Sequence, residues 1–289
     1  MSNEVNFAKN LHMDRIKSIF IFLYCSYLVY GLVTSVAGFT QNTEAVGWYA
    51  AVLTHLAGIF WFAHLYLTKH RNSNILILVM TVFSGIAFMI AFGQFKVEGT
   101  VGPEVVWLTG AAFVGWLMYT YWYSKMGKLS LNLKPGDLLP QMSFTQTDGN
   151  ELLVNDLANK KLIVFHRGNW CPFCVAQLEE LSSSFDKLDV HQIDVVAVSP
   201  QEDKFNERLS KKWNVPYFFV RDAGLRVSKS IGLSRKHSLP LGLQVFGYDS
   251  DLIAPASILV GSDNKIIAVH QSSDYRKRPD TSYFLRYLK

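Results

Sequence analysis

The chain is poor in cysteine, with three in 289 residues. That number excludes a small domain held together by disulfides. The chain is also poor in charge. Asp, Glu, Lys and Arg make up 18% of it, against about 25% in an ordinary soluble domain. The shortage is local: residues 1–127 hold 7 Lys/Arg and 5 Asp/Glu, whereas residues 128–289 hold 21 and 18. A disordered chain, a collagenous repeat and a single soluble globule are all excluded by this division. Nor is there a large excess of one sign. The net charge of +5 is shared between the two parts, and the basic clusters Lys211-Lys212, Arg235-Lys236 and Arg276-Lys277-Arg278 are short. With no basic face or tail, nucleic acid is not an expected partner.

The charge-poor part contains four long apolar runs, at about 18–39, 46–68, 74–95 and 103–123. Each has the length of ~20 residues that a helix needs to cross a bilayer's hydrocarbon core. The first three carry no charged residue, and the fourth carries only Glu104 at its start. The first run is too long for the core of a signal peptide and reads as an uncleaved span. Lys9, Arg15, Lys17, Lys69, Arg71, Lys125, Lys128 and Lys134 flank one side of the spans and Lys96 alone the other. The positive-inside rule then places both termini, and everything after the fourth span, in the cytoplasm. His55 and His64 are nine residues apart in the second run and point to opposite faces of one helix. They read as packing or hydrogen-bonding groups, with a quinone, haem or proton role as the alternative. Cys25 stands alone in the first run and reads as a small apolar residue. Recurrent glycines, such as Gly31, Gly58 and Gly115, fit close helix packing.

Residues 128–289 have a different pattern. Short apolar strands are expected at 142–147, 151–154, 162–165, 193–198, 217–220, 257–260 and 266–269. Helices are expected at 172–188, 202–213 and 225–231. Strands and helices that alternate in this way indicate an α/β layer fold. The fold class is therefore a four-span helical membrane domain over 1–127, followed by an α/β domain over 128–289.

The chemistry sits at Trp170-Cys171-Pro172-Phe173-Cys174, which follows a strand and opens a helix. A helix start offers unpaired N–H groups and the positive end of the dipole. Cys171 is therefore expected to have a lowered pKa and to act as nucleophile. Pro172 suits the first turn, where its missing N–H has no helical partner. Cys174 lies less than one turn away and can close a disulfide with Cys171. Zinc would require two further ligands, and the sequence has no second C-x-x-C, so neither a metal nor another cofactor is expected.

The pieces Lys134-Pro135-Gly136-Asp137, Val164 to Cys174, Val196 to Gln201, Arg221-Asp222 and Asp274 to Pro279 resemble the thioredoxin-fold superfamily. They look most like the alkyl hydroperoxide reductase/thiol-specific antioxidant group, the peroxiredoxin-like or redoxin proteins. The resemblance implies a thioredoxin-like domain and thiol-based peroxide reduction. Three departures qualify it. Gly168 stands where peroxiredoxins carry Thr or Ser. Pro255 stands near the place of their peroxide-polarising Arg and resembles the cis-Pro of thioredoxins. Phe165 replaces the buried Asp of thioredoxins, which leaves His166 as one candidate base. Arg167 and Arg278 are the basic residues placed to stabilise a Cys171 thiolate or a peroxide oxygen. Trp170 is placed to shield the dithiol, as the preceding Trp does in thioredoxins.

These observations imply a membrane-anchored thiol oxidoreductase at a bacterial inner membrane. Its expected partners are a peroxide or disulfide substrate, a cytoplasmic thiol reductant and the lipid bilayer. The alternatives are a thioredoxin-type disulfide reductase, a redox sensor coupled to the membrane helices, and an electron-transfer protein using His55 or His64.

Overall fold

Four helices open the chain in a computed structural model that describes residues 2–41, 45–68, 74–127 and 131–288. They are α1 (Ser2–Gln41), α2 (Val46–Thr68), α3 (Asn74–Gly93) and α4 (Pro103–Met118). Three stretches are long and apolar enough to cross a membrane: Met13–Gln41, Val46–Leu67 and Asn74–Lys96, the last running from α3 into a π-helix over Gln94–Glu98. The fourth apolar run differs. Its α-helix ends after 16 residues and continues as a π-helix over Tyr119–Tyr123. The switch is sealed by Ser124, whose N–H and hydroxyl both donate to the Tyr119 carbonyl, at 3.1 and 2.7 Å. Lys69, Arg71 and Lys128 lie outside the described residues, and so do the side chain of Lys9 and the point at which the sequence divides in two.

His55 is fully buried, and its Nδ1 lies 2.7 Å from the Ala51 carbonyl. Its ring fills the space that a side chain on residue 31 would need: a Cβ on Gly31 would stand 2.0 Å from His55 Nε2. The glycine admits the imidazole as a packing element between α1 and α2.

The chain forms two compact units. One holds Met1–Ser18 with Met126–Lys289, and the other holds Ile19–Lys125. In the first unit the strands are β1 (Ser143–Gln146), β2 (Glu151–Leu153), β3 (Lys160–Phe165), β4 (Ile193–Ser199), β5 (Phe218–Arg221), β6 (Ser234–Arg235), β7 (Leu252–Ile253), β8 (Ala256–Val260) and β9 (Ile266–Gln271). The helices are α5 (Pro172–Ser183), α6 (Phe185–Val190), α7 (Asp203–Trp213), α8 (Arg226–Ser230) and α9 (Thr281–Leu285). Seven strands make one sheet in the order β2-β1-β5-β4-β3-β8-β9, and β6 and β7 pair separately. β3, β4 and β5 run parallel, and β8 pairs antiparallel to β3.

The central strands are covered on both faces, so they read as continuous apolar runs. Leu162 and Val164 face Leu178 and Leu181 of α5 in one cluster. Ile163 and Phe165 face Phe144, Leu233 and Ile253 in the other. This alternation is the two-residue period of a strand. The single helix expected over 172–188 is broken at Ser184, whose φ of −104° and ψ of 16° leave the helical region. Ser182 and Ser183 donate their hydroxyls back to Leu178 and Glu180, and such local bonds compete with helix continuation.

The first turns of α1 that belong to this unit are fixed by an ion pair. Asp14 and Arg235 are both buried, with Oδ2 and Nε 3.0 Å apart. Arg235 also donates to the Met126 carbonyl at 2.5 Å.

Candidate active site

β3 ends at Phe165, and the chain reaches α5 through His166-Arg167-Gly168-Asn169-Trp170-Cys171. Cys171 is the N-cap residue of α5 and Pro172 its first residue, as the sequence suggests. Cys174 and Val175 donate their N–H groups to the Cys171 carbonyl, both at 3.0 Å. Both cysteines are free thiols and both are buried, with Cys171 1% and Cys174 0% exposed.

Gly168 has φ +129°, a left-handed value that favours glycine. A Cβ there would stand 2.9 Å from both Gln201 Oε1 and Trp170 Nε1. The departure from Thr or Ser is thus required by the local path of the chain. Gln201, just beyond β4, accepts from the Asn169 N–H at 2.8 Å and is held in turn by Asn206 at 2.6 Å. Sequence reasoning did not single out Gln201, although it lies in a stretch that carries the family resemblance.

Both arginines act on the dithiol. Arg278 Nη2 lies 3.7 Å from Cys174 Sγ, and the arginine is buried. Arg167 is sandwiched by aromatic rings, its guanidinium carbon 4.8 Å from the centre of Trp170 and 5.4 Å from that of Tyr275. Its Nη2 donates to the Ser238 carbonyl at 3.0 Å, and Trp170 Nε1 donates to the Arg167 carbonyl at 3.1 Å. Tyr275 also meets Phe173 edge-on, with ring centres 5.4 Å apart. The loop carrying Arg278 is shaped by Asp274, which accepts from the Arg276 N–H, Nε and Nη2 at 3.0, 3.0 and 2.8 Å. Lys277 takes part through its backbone, donating to the Asp274 carbonyl at 3.0 Å and accepting from Arg278 Nη1 at 2.9 Å.

The electrostatics reverse one expectation. Cys171 was expected to carry the lowered pKa. Instead burial, and then the hydrogen bond to Cys174, push the Cys171 thiol well up. Burial pushes Cys174 up as well, but the hydrogen bond from Cys171 and then the charge of Arg278 more than offset it. Cys174 is held well below the ordinary thiol value. A buried, hydrogen-bonded pair takes only one negative charge readily, and the sulfur that accepts the hydrogen bond also has the Arg278 guanidinium 3.7 Å away.

Pro255 immediately precedes β8, whose Ala256 pairs with Phe165 at the end of β3. The cis bond suggested by the thioredoxin likeness is absent, since among the described residues every peptide bond is trans. Among the described residues no group of three or more His, Cys, Asp and Glu stands together as a metal site.

His166 is buried, and neither ring nitrogen meets a hydrogen-bond partner among the described residues. Burial lowers its pKa to about 4, and nearby Arg278 pushes the same way. The imidazole is neutral at pH 7. The unfolded chain, with a His pKa near 6.5, binds more protons than the folded one between those values. Stability is therefore full above about pH 6.5 and is lost as pH falls toward 4, by roughly 3 kcal/mol. The variant His166→Phe should lose this part of the acid sensitivity. Denaturant titrations at pH 7 and pH 4 check it, and an unchanged pH dependence would assign the acid sensitivity elsewhere.

The Redoxin family profile matches residues 134–285. Peroxiredoxin Bcp of Escherichia coli is 25% identical over 158 residues, covering 54% of this chain and 96% of that protein. The thiol-disulfide oxidoreductase ResA of Bacillus cereus is 22% identical over 161 residues, covering 55% of this chain and 79% of that protein. Among solved structures, a peroxiredoxin-like protein from Aquifex aeolicus aligns with a TM-score of 0.45 at 17% identity, covering 53% of this chain and 85% of that one.

Proposed function

This chain belongs to the redoxin family and is a thiol oxidoreductase, and on that premise we propose that its Cys171–Cys174 dithiol reduces peroxides at a membrane. The observation that carries this reading is the burial of both sulfurs beside two guanidinium groups. A protein disulfide must bring its own backbone to an exposed cysteine. Cys171 is 1% exposed, which suits a small, narrow oxidant. Arg167 and Arg278 supply positive charge to a leaving alkoxide as well as to the thiolate.

In this mechanism Cys171 Sγ attacks the terminal peroxide oxygen and the O–O bond breaks. The Cys171 proton passes to the Cys174 thiolate, and the alkoxide leaves. Cys171 is now a sulfenic acid. The alkoxide takes the proton back from Cys174, whose sulfur then attacks Cys171 and expels hydroxide. A Cys171–Cys174 disulfide results. Two electrons from a cytoplasmic thiol reductant restore the dithiol. Pro172 fixes the helix start, and this reading gives Trp170 the role of shielding the dithiol and Pro255 a supporting role at the start of β8.

The anchor in this proposal is a four-span domain over residues 1–127, with the redoxin domain over 128–289 on the cytoplasmic side. The three long apolar helices support it. So does their outer surface, where Val33, Leu67, Ile75 and Leu78 stand exposed, as lipid-facing residues do. The tether suggests lipid hydroperoxides as substrates.

A second reading, protein disulfide reduction, is favoured by the thiol-disulfide oxidoreductase relative. One experiment separates the two. The reduced full-length protein in lipid vesicles is mixed in turn with hydrogen peroxide, a phospholipid hydroperoxide and a protein disulfide. The peroxides should oxidise the dithiol far faster than the protein disulfide does. The opposite order would replace the peroxidase reading by the reductase one.

A further inference from the structure

We propose that the turn between Leu239 and Phe246 is a membrane-contact element that enters the interfacial layer of the bilayer beside the start of the first span. The proposal rests on the reading of α1 as a membrane span. From Ser238 to Tyr248 the sequence carries no charged residue. The turn is a short 3-10 helix, Leu243–Phe246, set between Gly242 and Gly247, both with left-handed φ values of 97° and 87°. It projects large apolar side chains from an otherwise ordinary redoxin surface: Val245 is 81% and Phe246 67% exposed, and Leu241 is exposed beside them. An apolar cluster of this kind on a soluble domain marks a binding surface.

What covers it follows from where it is fastened. The Leu241 N–H donates to the Ser18 carbonyl at 3.2 Å, and the Ser18 hydroxyl donates to the Leu239 carbonyl. Ser18 is the first residue of the first apolar run and is covalently joined to Ile19, where the second compact unit begins. A surface bonded to Ser18, close to the N-terminal end of the apolar stretch Met13–Gln41, lies at the level of the lipid headgroups. Arg15, exposed just before it, suits anionic headgroups. The occupant is thus the phospholipid bilayer itself.

The turn is also fastened at both ends to the segment before the dithiol. Ser238 holds Arg167 through its carbonyl, 3.0 Å from Nη2. The Tyr248 hydroxyl donates to Asn169 Oδ1 at 2.8 Å, with its ring stacked on Phe205 at 4.5 Å. A bilayer contact at Val245 and Phe246 therefore brings the edge of the membrane to the residues flanking Cys171. That placement gives a peroxidised acyl chain a short way to the dithiol.

The test places one environment-sensitive fluorophore on the full-length protein in vesicles of phosphatidylethanolamine and phosphatidylglycerol. The native cysteines are replaced by Ser, and a single Cys is introduced by Val245→Cys, Val190→Cys or Val33→Cys. Val190 is an exposed apolar residue on α6, and Val33 lies within the first span. The label at 245 should emit blue-shifted, resist aqueous iodide and lose intensity to lipids doxyl-labelled near the headgroup. The label at 190 should do none of these. Val33 should be quenched by deeply labelled lipids. If position 33 responds as a span and position 245 behaves like 190, this proposal is overturned while the membrane reading stands. If position 33 is itself aqueous, the membrane reading fails first. Protection from iodide without lipid quenching at 245 would mean a protein partner and would also overturn the proposal. A paired Val245→Asp, Phe246→Asp variant adds a functional readout: the rate with phospholipid hydroperoxide should fall several-fold with the rate toward hydrogen peroxide kept.

Discussion

Replacing Cys171 by Ser is expected to abolish peroxide-driven oxidation of the protein, lowering the rate by on the order of 10⁶-fold, as loss of a nucleophile does. A hydroxyl has neither the acidity nor the nucleophilicity of a thiol at neutral pH. Cys174→Ser should behave differently. One equivalent of peroxide would still be consumed, but the oxidised Cys171 would stay as a sulfenic acid open to trapping by dimedone, because no second sulfur is present to expel hydroxide. The first step should be slowed as well, since the Cys174 thiolate takes the Cys171 proton. Single-turnover peroxide consumption with mass analysis of residues 171–174 checks both variants. Full activity in Cys171→Ser would exchange the two roles and make Cys174, the sulfur that carries the charge, the attacking one.

The second large effect is expected at Arg278. Its guanidinium lies 3.7 Å from Cys174 Sγ, and it helps to hold that thiol well below its ordinary value. An opposite charge this close is worth about 1–3 pKa units. Arg278→Met should therefore raise the Cys174 pKa and move the pH–rate profile toward alkaline pH. At pH 7 the thiolate fraction, and the rate with it, falls once the raised value passes about 7, and then roughly tenfold for each unit beyond it. The sign for stability follows the same logic. A depressed thiol pKa stabilises the folded, reduced protein above the unfolded value of about 8.5. That contribution is lost as pH falls through the folded value. The oxidised form has no thiol to ionise, so Arg278→Met destabilises only the reduced form. Measured at a pH above the Cys174 value of both proteins, the reduction potential should become more negative by about 30 mV per unit. Arg278→Lys keeps a charge and should restore part of each effect. A potential unmoved in Arg278→Met would give the arginine a packing role only.

The outline of the soluble half was legible because its strands are short apolar runs covered on both sides. β3, β4 and β5 and the helices α7 and α8 lie within a residue or two of where periodicity puts them. Pattern alone does not fix a helix end written in serines, and α5 therefore stops at Ser183. The pair β6–β7 has two residues in each strand, too few for a two-residue period to register. The dithiol was legible because a strand, a C-P-x-C and an amphipathic helix stand in direct succession. The partition of charge within it was not. It depends on Arg278, separated from Cys174 by 104 positions, and on a loop shaped by the Asp274–Arg276 pair. The short turn at Leu243–Phe246 looks like any apolar loop in sequence; its meaning comes from its bond to Ser18.

The central claim is that this buried dithiol reacts with peroxide as a pair. The most direct measurement mixes the fully reduced full-length protein with one equivalent of hydrogen peroxide in a stopped-flow instrument. Trp170 fluorescence and free-thiol counts are followed, with free cysteine as the control. The account predicts oxidation far faster than free cysteine, loss of two thiols per peroxide, and a disulfide mapped to Cys171 and Cys174 with Cys25 still reduced. Oxidation no faster than free cysteine, or a disulfide that involves Cys25, would contradict it.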